Sequence, residues 1–553
     1  FYLQPDELVS GDVRGVAVAP DGRVWAGSLG GVTVLSNGIR MAGYTPAQGL
    51  PNNEVRCITY GPDGRFWIGT NLGVVRFDES TGDWSLRHSR RWLLSDEVRD
   101  IAFDANGTAW VATKLGVSAI KRRTMTLAEK ASYFLEVQHE RHVREPWIVE
   151  KCRLRTPGDP TTWEPEDDDN DGSYTAYYMI QESYRYAVTK DPEALAHAKK
   201  AFDLIEFLQT VTETSGFMAR TVVPSTWTAM HDMNETFSDE QRAERRVRDP
   251  RYKPVEIRWR PSADGKWLWK GDTSSDEITG HFYGFLMYHQ LAADENDKKR
   301  VADLARRVMD YIIDGGFNLR DTDGEHTRWG VWSPEKLLGD PDWRAERNIN
   351  ATELLMFLKV THYLTGDSKY QRYYHRLIES DGYAELARRS KSYHPSERTH
   401  IDDELLSFTY PGLFTCETDA KLLAIYRESL DWWYKGLARD ESPHFNFTYA
   451  SCGGKDFNLE DSVAFLRDAP LDLIEWTVDN STREDLRLVR SPEIDPLQTD
   501  RILPASERAV MRWDKNPWMA VNGFGGSSES CASYWLKPYW MARYYGYIGA
   551  PKQ

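Results

Sequence analysis

No apolar run in the chain reaches the length that crosses a bilayer, and a mean hydropathy of -0.61 predicts a protein without membrane insertion. Cysteine is scarce. Cys57, Cys152, Cys416, Cys452 and Cys531 are odd in number, scattered and without C-x-x-C spacing, which excludes a disulfide framework or a spaced zinc motif and predicts plain buried thiols. Positive charge is short as well: a net charge of -16 argues against nucleic acid or a long sulfated chain as partner, while leaving room for a local basic pocket. Absent too are a Ser-His-Asp signature, HExxH, a phosphate loop and a dinucleotide fingerprint, so hydrolases and lyases remain as the enzyme classes. The chain opens on Phe1 without a signal-like segment; the reading is either a periplasmic or otherwise exported protein whose leader has been removed, or a cut chain.

Aromatic residues are plentiful, with 21 Trp and 28 Tyr; flat rings either fill helical cores or offer faces on which sugars stack. At 553 residues two domains are expected. The division falls into residues 1–122 and 123–553. In the first part "PDGRVWAGSLGGVTVL", "PDGRFWIGTNLGVVRF" and "ANGTAWVATKLGVSAI" align Trp25, Trp67 and Trp110 at intervals of 42 and 43 residues. A period in the forties, with an Asp-Gly or Asn-Gly turn before an alternating strand, predicts four-stranded blades of a partial β-propeller. Three blades do not close a ring, so the stack is expected to pack against the second part. From Met125 onward helix follows helix, over 126–142, 173–189, 192–212, 275–293, 296–314, 350–365, 367–380, 402–415, 418–439, 458–467, 470–478 and 529–547. Members with one charged face alternate with members apolar nearly all round, as outer and inner helices of an all-α (α/α)6 toroid do.

In that architecture the loops opening the inner helices ring one pocket. "WKGDTSSDEITGHFYGF" places Gly280 and Gly284 on one helix face, with His281 and Tyr283 on either side of it, poised either to flank a ligand or to sit in the core behind a helix contact. Arg220, on the same rim, is either a carboxylate clamp or a surface ion-pair partner. His400 precedes Asp402 and Asp403 at another helix start; those aspartates and Asn350 have helix capping as their plain alternative. In "WEPEDDDNDGSYTAYY", Asp167, Asp169, Asp171 and Gly172 match the first half of a calcium loop, but its last position is Tyr178 where an EF-hand has glutamate. An EF-hand is excluded, while a different structural calcium site through Asp167 and Asp169, a pocket lip and simple capping stay open.

The blades, the predicted toroid, "DNDGSYTAYY", "GDTSSDEITGHFYGF" and the tail "LPASERAVMRWDKNPWMAVNGFGG...SYWLKPYWMARYYGYI" together resemble the L-rhamnose-α-1,4-D-glucuronate lyases, polysaccharide lyase family 27, which remove rhamnose caps from arabinogalactan; the repeats resemble the two-component-regulator type. The resemblance implies an exo-acting lyase that needs no cofactor, acts on plant arabinogalactan or a related uronate-containing glycan, and uses a tyrosine base. Tyr283 is the first choice for that base, then Tyr174, Tyr177 and Tyr410. It also implies that Asn170 and Asp171 face the pocket. In such an elimination the base takes the C5 proton and a cation neutralises the uronate carboxylate. Arg220 with His281, His400 or Asn350 are the expected partners. The rivals are a glycoside hydrolase on the same toroid, with Asp276 or Asp171 as acid/base, and a non-catalytic glycan-binding or sensor protein.

Overall fold

The computed structural model describes residues 7–391, 400–490 and 497–551. Two four-stranded antiparallel sheets come first, β1 (Val13–Val18), β2 (Val24–Ser28), β3 (Gly31–Ser36), β4 (Ile39–Tyr44), then β5 (Val55–Tyr60), β6 (Phe66–Thr70), β7 (Gly73–Asp78), β8 (Asp83–Arg87). A three-stranded sheet follows, with β9 (Val98–Phe103), β10 (Ala109–Thr113) and β11 (Gly116–Ile120). These are propeller-like blades, and the repeat sets their register: Trp25, Trp67 and Trp110 face Ala17, Thr59 and Ala102 of the preceding strand. Each inner hairpin turns on a glycine, Gly31, Gly73 or Gly116, at φ +140°, +117° and +141°, where an L side chain is strained. Ser28, Thr70 and Thr113 fasten these turns by donating to the carbonyl of that glycine. Trp25 and Trp67 are buried, whereas Trp110 is 45% exposed.

The blades pack onto the chain around 472–507. Glu507 accepts from the Leu86 N–H, the β8 edge group; Glu484 accepts from Asn53 N. Arg91 donates to the carbonyls of Asp472 and Ile474. An otherwise open sheet edge is thereby satisfied.

The helices are α1 (Leu127–Arg141), α2 (Asp171–Thr189), α3 (Pro192–Thr210), α4 (Asp239–Arg248), α5 (Ser275–Leu291), α6 (Glu295–Asp314), α7 (Pro334–Gly339), α8 (Arg347–Thr365), α9 (Ser368–Asp381), α10 (Tyr383–Ala387), α11 (Ile401–Cys416), α12 (Ala420–Leu437), α13 (Pro443–Ser451), α14 (Leu459–Asp468) and α15 (Ser533–Tyr544). Helix α2 packs on α5, α5 on α8, α8 on α11, α11 on α13, α13 on α15, and α15 returns to α2. The members of this cycle are buried along most of their length, while α3, α6, α9 and α12 lie against it with a charged face outward. Gly280 and Gly284 serve the cycle rather than a ligand: an added Cβ would meet Ser173 and Tyr177 at one and Met179 and Ala176 at the other.

One expected helix is misplaced. Residues 470–478 are non-helical, and Asp472 turns the chain there by accepting from Ile474 N and Trp476 Nε1. The pattern also missed α4, α7, α10 and α13, the last opened by Pro443 at its first position.

Between α1 and α14 a buried ammonium closes a helix end. Lys130 Nζ donates to the carbonyls of Leu466 at 2.9 Å and Arg467 at 3.1 Å and also to that of Ala469, satisfying groups that a helix C-terminus leaves over. Lys130→Met is expected to cost ~1.5–3 kcal/mol, read as a lowered midpoint in urea denaturation.

Candidate functional site

The first turns of α5, α8 and α11 converge. The charges of Asp276 and Asp402 raise the Glu353 carboxyl, and that of Asp276 raises Glu404, in both cases after burial as the larger cause. Glu353 and Glu404 are buried, Asp276 partly exposed. A strap of coil, Arg512 to Lys515, crosses this end of the helical cycle. Arg512 donates to the Tyr174 hydroxyl and, at 3.0 and 2.8 Å, to both oxygens of Asp514. Trp513 donates to Glu404 and stacks on His444 with ring centroids 4.0 Å apart.

Beneath Trp513 lies a polar cluster sealed from water. His444 Nε2 meets Ser407 Oγ at 2.7 Å, and its Nδ1 meets Lys537 Nζ at 3.2 Å. Because the Ser407 hydroxyl donates to the Glu404 carbonyl, the geometry assigns the Nε2–H tautomer to His444 and makes Nδ1 the acceptor from Lys537. The ammonium lies 5.0 Å from the Phe408 ring centre and 5.6 Å from that of Trp513, a cation–π setting. Burial pushes Lys537 down to about 7 and Glu404 up to about 8. The folded pKa of the lysine lies below the ordinary 10.5, so between the two values the unfolded chain holds more protons and stability rises with pH. Lys537→Met is expected to flatten that rise, measured as urea midpoints from pH 7 to 10.

Tyr174 is the half-buried phenol of the site. Burial raises its pKa well above the usual value, and the Arg512 charge opposes this. It lines a narrow crevice with Glu150, Arg512, Asp514, Ser533 and Tyr534. A second crevice shares Arg512 and Tyr534 and contains Lys515 and Glu475; a third, of 460 Å³, adds Lys151 beside Glu475 and Phe524. Lys515 Nζ sits 5.0 Å over the Phe524 ring, and among the described residues no carboxylate lies within ion-pair distance of it. Burial is the main cause that lowers its pKa, with Arg512 next.

Several expected residues lie elsewhere or are already engaged. Tyr283, the first-choice base, is fully buried two turns into α5, with its hydroxyl 3.2 Å from that of Tyr184 and its pKa pushed far up by burial; among the described residues no arginine or lysine hydrogen-bonds it. His281 is buried against Gly172, neither ring nitrogen makes a hydrogen bond, and burial pushes it down to about 3, so it is neutral at pH 7 and supplies no cation. Arg220 is 4% exposed. It donates to the carbonyls of Asp169 and Asp272 and toward Ser274 and Asn170, and lies 3.5 Å from Glu277; it braces the loops instead of clamping a ligand. His400 caps α11 beside Asp440, 3.4 Å away. Asp403 pairs with Lys391. Asn350 donates to the Val331 carbonyl. Tyr410 bonds Ser390 and Ser429 in a closed hydroxyl cluster. Tyr177 packs on Phe408.

Asp171 is a correction of its own: it is fully buried, with Arg144 and Thr221 on its carboxylate, so it cannot form a lip. Asn170 stays partly exposed as the residue before α2. Nor does the acidic loop fit calcium. Asp167 accepts from His231 N at 3.0 and 3.1 Å, while Asp169 faces Lys270, Arg258 and Arg220. Three cations around one carboxylate occupy the place of a divalent ion. Asp169, His231 and Asp232 do bring ligand atoms together, but Arg258 and Lys270 also hold Asp232.

The residues that pattern reading did not single out are Arg512, Lys515, Glu404, His444 and Lys537. The motif "RWDK" lies outside helices and strands, where no periodicity marks which side chains turn inward. A larger cavity, 790 Å³ between the third blade and α1, is lined by Arg87, Lys121, Arg122 and Arg467, away from these residues.

Comparison with known proteins bears on the blades. The two component regulator propeller family model matches residues 49–72, the chain from Gly49 through β5 and β6. No curated protein matches. Among solved structures, the extracellular domain of a hybrid two component system of B. thetaiotaomicron is 17% identical, covers 31% of this chain and 28% of its own, and has a TM-score of 0.20. Virginiamycin B lyase from Staphylococcus aureus is 19% identical over 22% of this chain and 45% of its own, TM-score 0.17. PorZ, a surface component of the type-IX secretion system of Porphyromonas gingivalis, is 19% identical over 21% and 19%, TM-score 0.19. This chain thus spans 28% of the length of the first of these structures. Among the described residues no helix is long and apolar enough to cross a membrane.

Proposed function

We propose that the chain is an exported, exo-acting polysaccharide lyase that removes terminal L-rhamnose α-1,4-linked to D-glucuronate on arabinogalactan by β-elimination. In this reading residues 123–553 form an (α/α)6 toroid and residues 1–122 a partial propeller packed on it. The observation that carries it is a guanidinium on the hydroxyl of a part-exposed tyrosine, next to a lysine that no carboxylate among the described residues approaches within ion-pair distance. The base is therefore Tyr174 and not Tyr283. Arg512 stabilises its phenolate. Phenolate takes the C5 proton, the charge spreads into the carboxylate as an enediolate, and Lys515 with Arg512 neutralises it. The C4–O bond then breaks, the leaving oxygen taking the proton back from Tyr174, so that rhamnose departs and a 4,5-unsaturated uronate stays on the glycan. No step requires a cofactor.

A second reading has its own support. Glu404, raised to about 8, is protonated at neutral pH and, with part-exposed Asp276 nearby, has the chemistry of a general acid with a partner carboxylate. That pair would serve a glycoside hydrolase. Turnover in water enriched in heavy oxygen separates the two: elimination leaves products without the label, hydrolysis places one heavy oxygen in a product. Binding without either product would leave a glycan-binding protein.

A further inference from the structure

Three groups outside the crevices meet, with one ligand atom of each within 4.8 Å of the others. His142 caps α1, Cys152 opens the strand Cys152–Leu154, and Glu529 ends the strand Ser528–Glu529; the two strands pair with Cys152 opposite Glu529. His142, Cys152 and Glu529 are 2%, 0% and 3% exposed. His142 Nδ1 lies 3.0 Å from the Glu150 carbonyl, which can only accept, so Nδ1 carries the hydrogen and the Nε2 lone pair points the other way. That Nε2 makes no hydrogen bond and stands 3.5 Å from Glu529 Oε2. Cys152 Sγ stands 3.7 Å from the same oxygen.

These separations have a meaning. With metal–nitrogen and metal–oxygen bonds of ~2.0–2.1 Å and a metal–sulfur bond of ~2.3 Å, tetrahedral zinc holds its nitrogen and oxygen donors ~3.4 Å apart and its sulfur and oxygen donors ~3.6 Å apart. We propose that His142, Cys152 and Glu529 form a buried site for a divalent transition metal of the zinc type, ligated through Nε2, Sγ and one carboxylate oxygen. The surroundings are those of such a site. The Glu150 carbonyl fixes the tautomer, and Arg141 grips Glu529 at 2.6 and 3.0 Å, orienting the carboxylate as partners of metal ligands do. On binding, the Cys152 thiol loses its proton to solvent and the Nδ1 hydrogen stays, so one proton is released per ion. The ion would tie the end of α1 to two strands bordering the crevices.

The test is titration of metal-stripped full chain with Co²⁺ alone, followed by Zn²⁺ competition. Expected are one ion per chain, a sulfur-to-cobalt charge-transfer band in the near ultraviolet that zinc abolishes, and release of one proton. Cys152→Ser should remove the band and His142→Ala should weaken binding by ~100-fold or more. No band in the wild-type chain, or a band surviving in Cys152→Ser, would overturn the site. The first result needs no variant to fold.

Discussion

Tyr174→Phe is expected to lower kcat on rhamnose-capped arabinogalactan by ~10²–10⁴-fold, the usual scale for loss of a general acid–base group, with KM and the unfolding midpoint close to wild type. Tyr174 is partly exposed and carries Arg512 on its oxygen, whereas Tyr283 is sealed with its hydroxyl against that of Tyr184. Tyr283→Phe should therefore leave kcat within a few fold and cost about 1 kcal/mol through the lost Tyr184 bond. The pH profile adds a readout that a structural role would not move. Burial raises the Tyr174 pKa and Arg512 lowers it, so activity rises with pH until the phenolate forms, and Arg512→Met should displace that rise to higher pH. Wild-type turnover in Tyr174→Phe would move the base elsewhere.

Asp171→Ala should act on the fold instead of the chemistry. The carboxylate is fully buried between Arg144 and Thr221. Arg144 is itself buried, and its other hydrogen bonds go to the carbonyls of Glu145, Glu166 and Val222 and to the Thr221 hydroxyl. Removing Asp171 leaves a guanidinium without its counter-charge in a dry place, a loss of ~3–5 kcal/mol, large beside a domain stability of ~5–15 kcal/mol. Equilibrium denaturation checks it. A midpoint near wild type with weakened glycan binding would restore Asp171 to the pocket.

The blades were legible because their signal is local: a turn, a tryptophan and a glycine recur at one spacing, and the same three features set turn and register in the structure. Helix content was legible where apolar periodicity is sustained; the polar α4, the short α7 and α10 and the proline-opened α13 carry too little of it, and the run 470–478 does not form a helix. The site was far less so. Helix starts do converge, but a helical wheel cannot say whether His281 faces a cavity or Gly172, and a row of aspartates reads alike whether it surrounds an ion or answers Arg144, Arg220, Arg258 and Lys270. Arg512 reaches Tyr174 across 338 residues, and Cys152 meets Glu529 across 377. Such pairings depend on tertiary folding and leave no mark in spacing.

The most direct measurement is ultraviolet absorbance of the unsaturated uronate, recorded continuously with purified protein and rhamnose-capped arabinogalactan, with free rhamnose determined in the same samples. The account predicts that absorbance and rhamnose rise together in equal amounts. Rhamnose released without absorbance would contradict elimination and point to hydrolysis through Glu404 and Asp276.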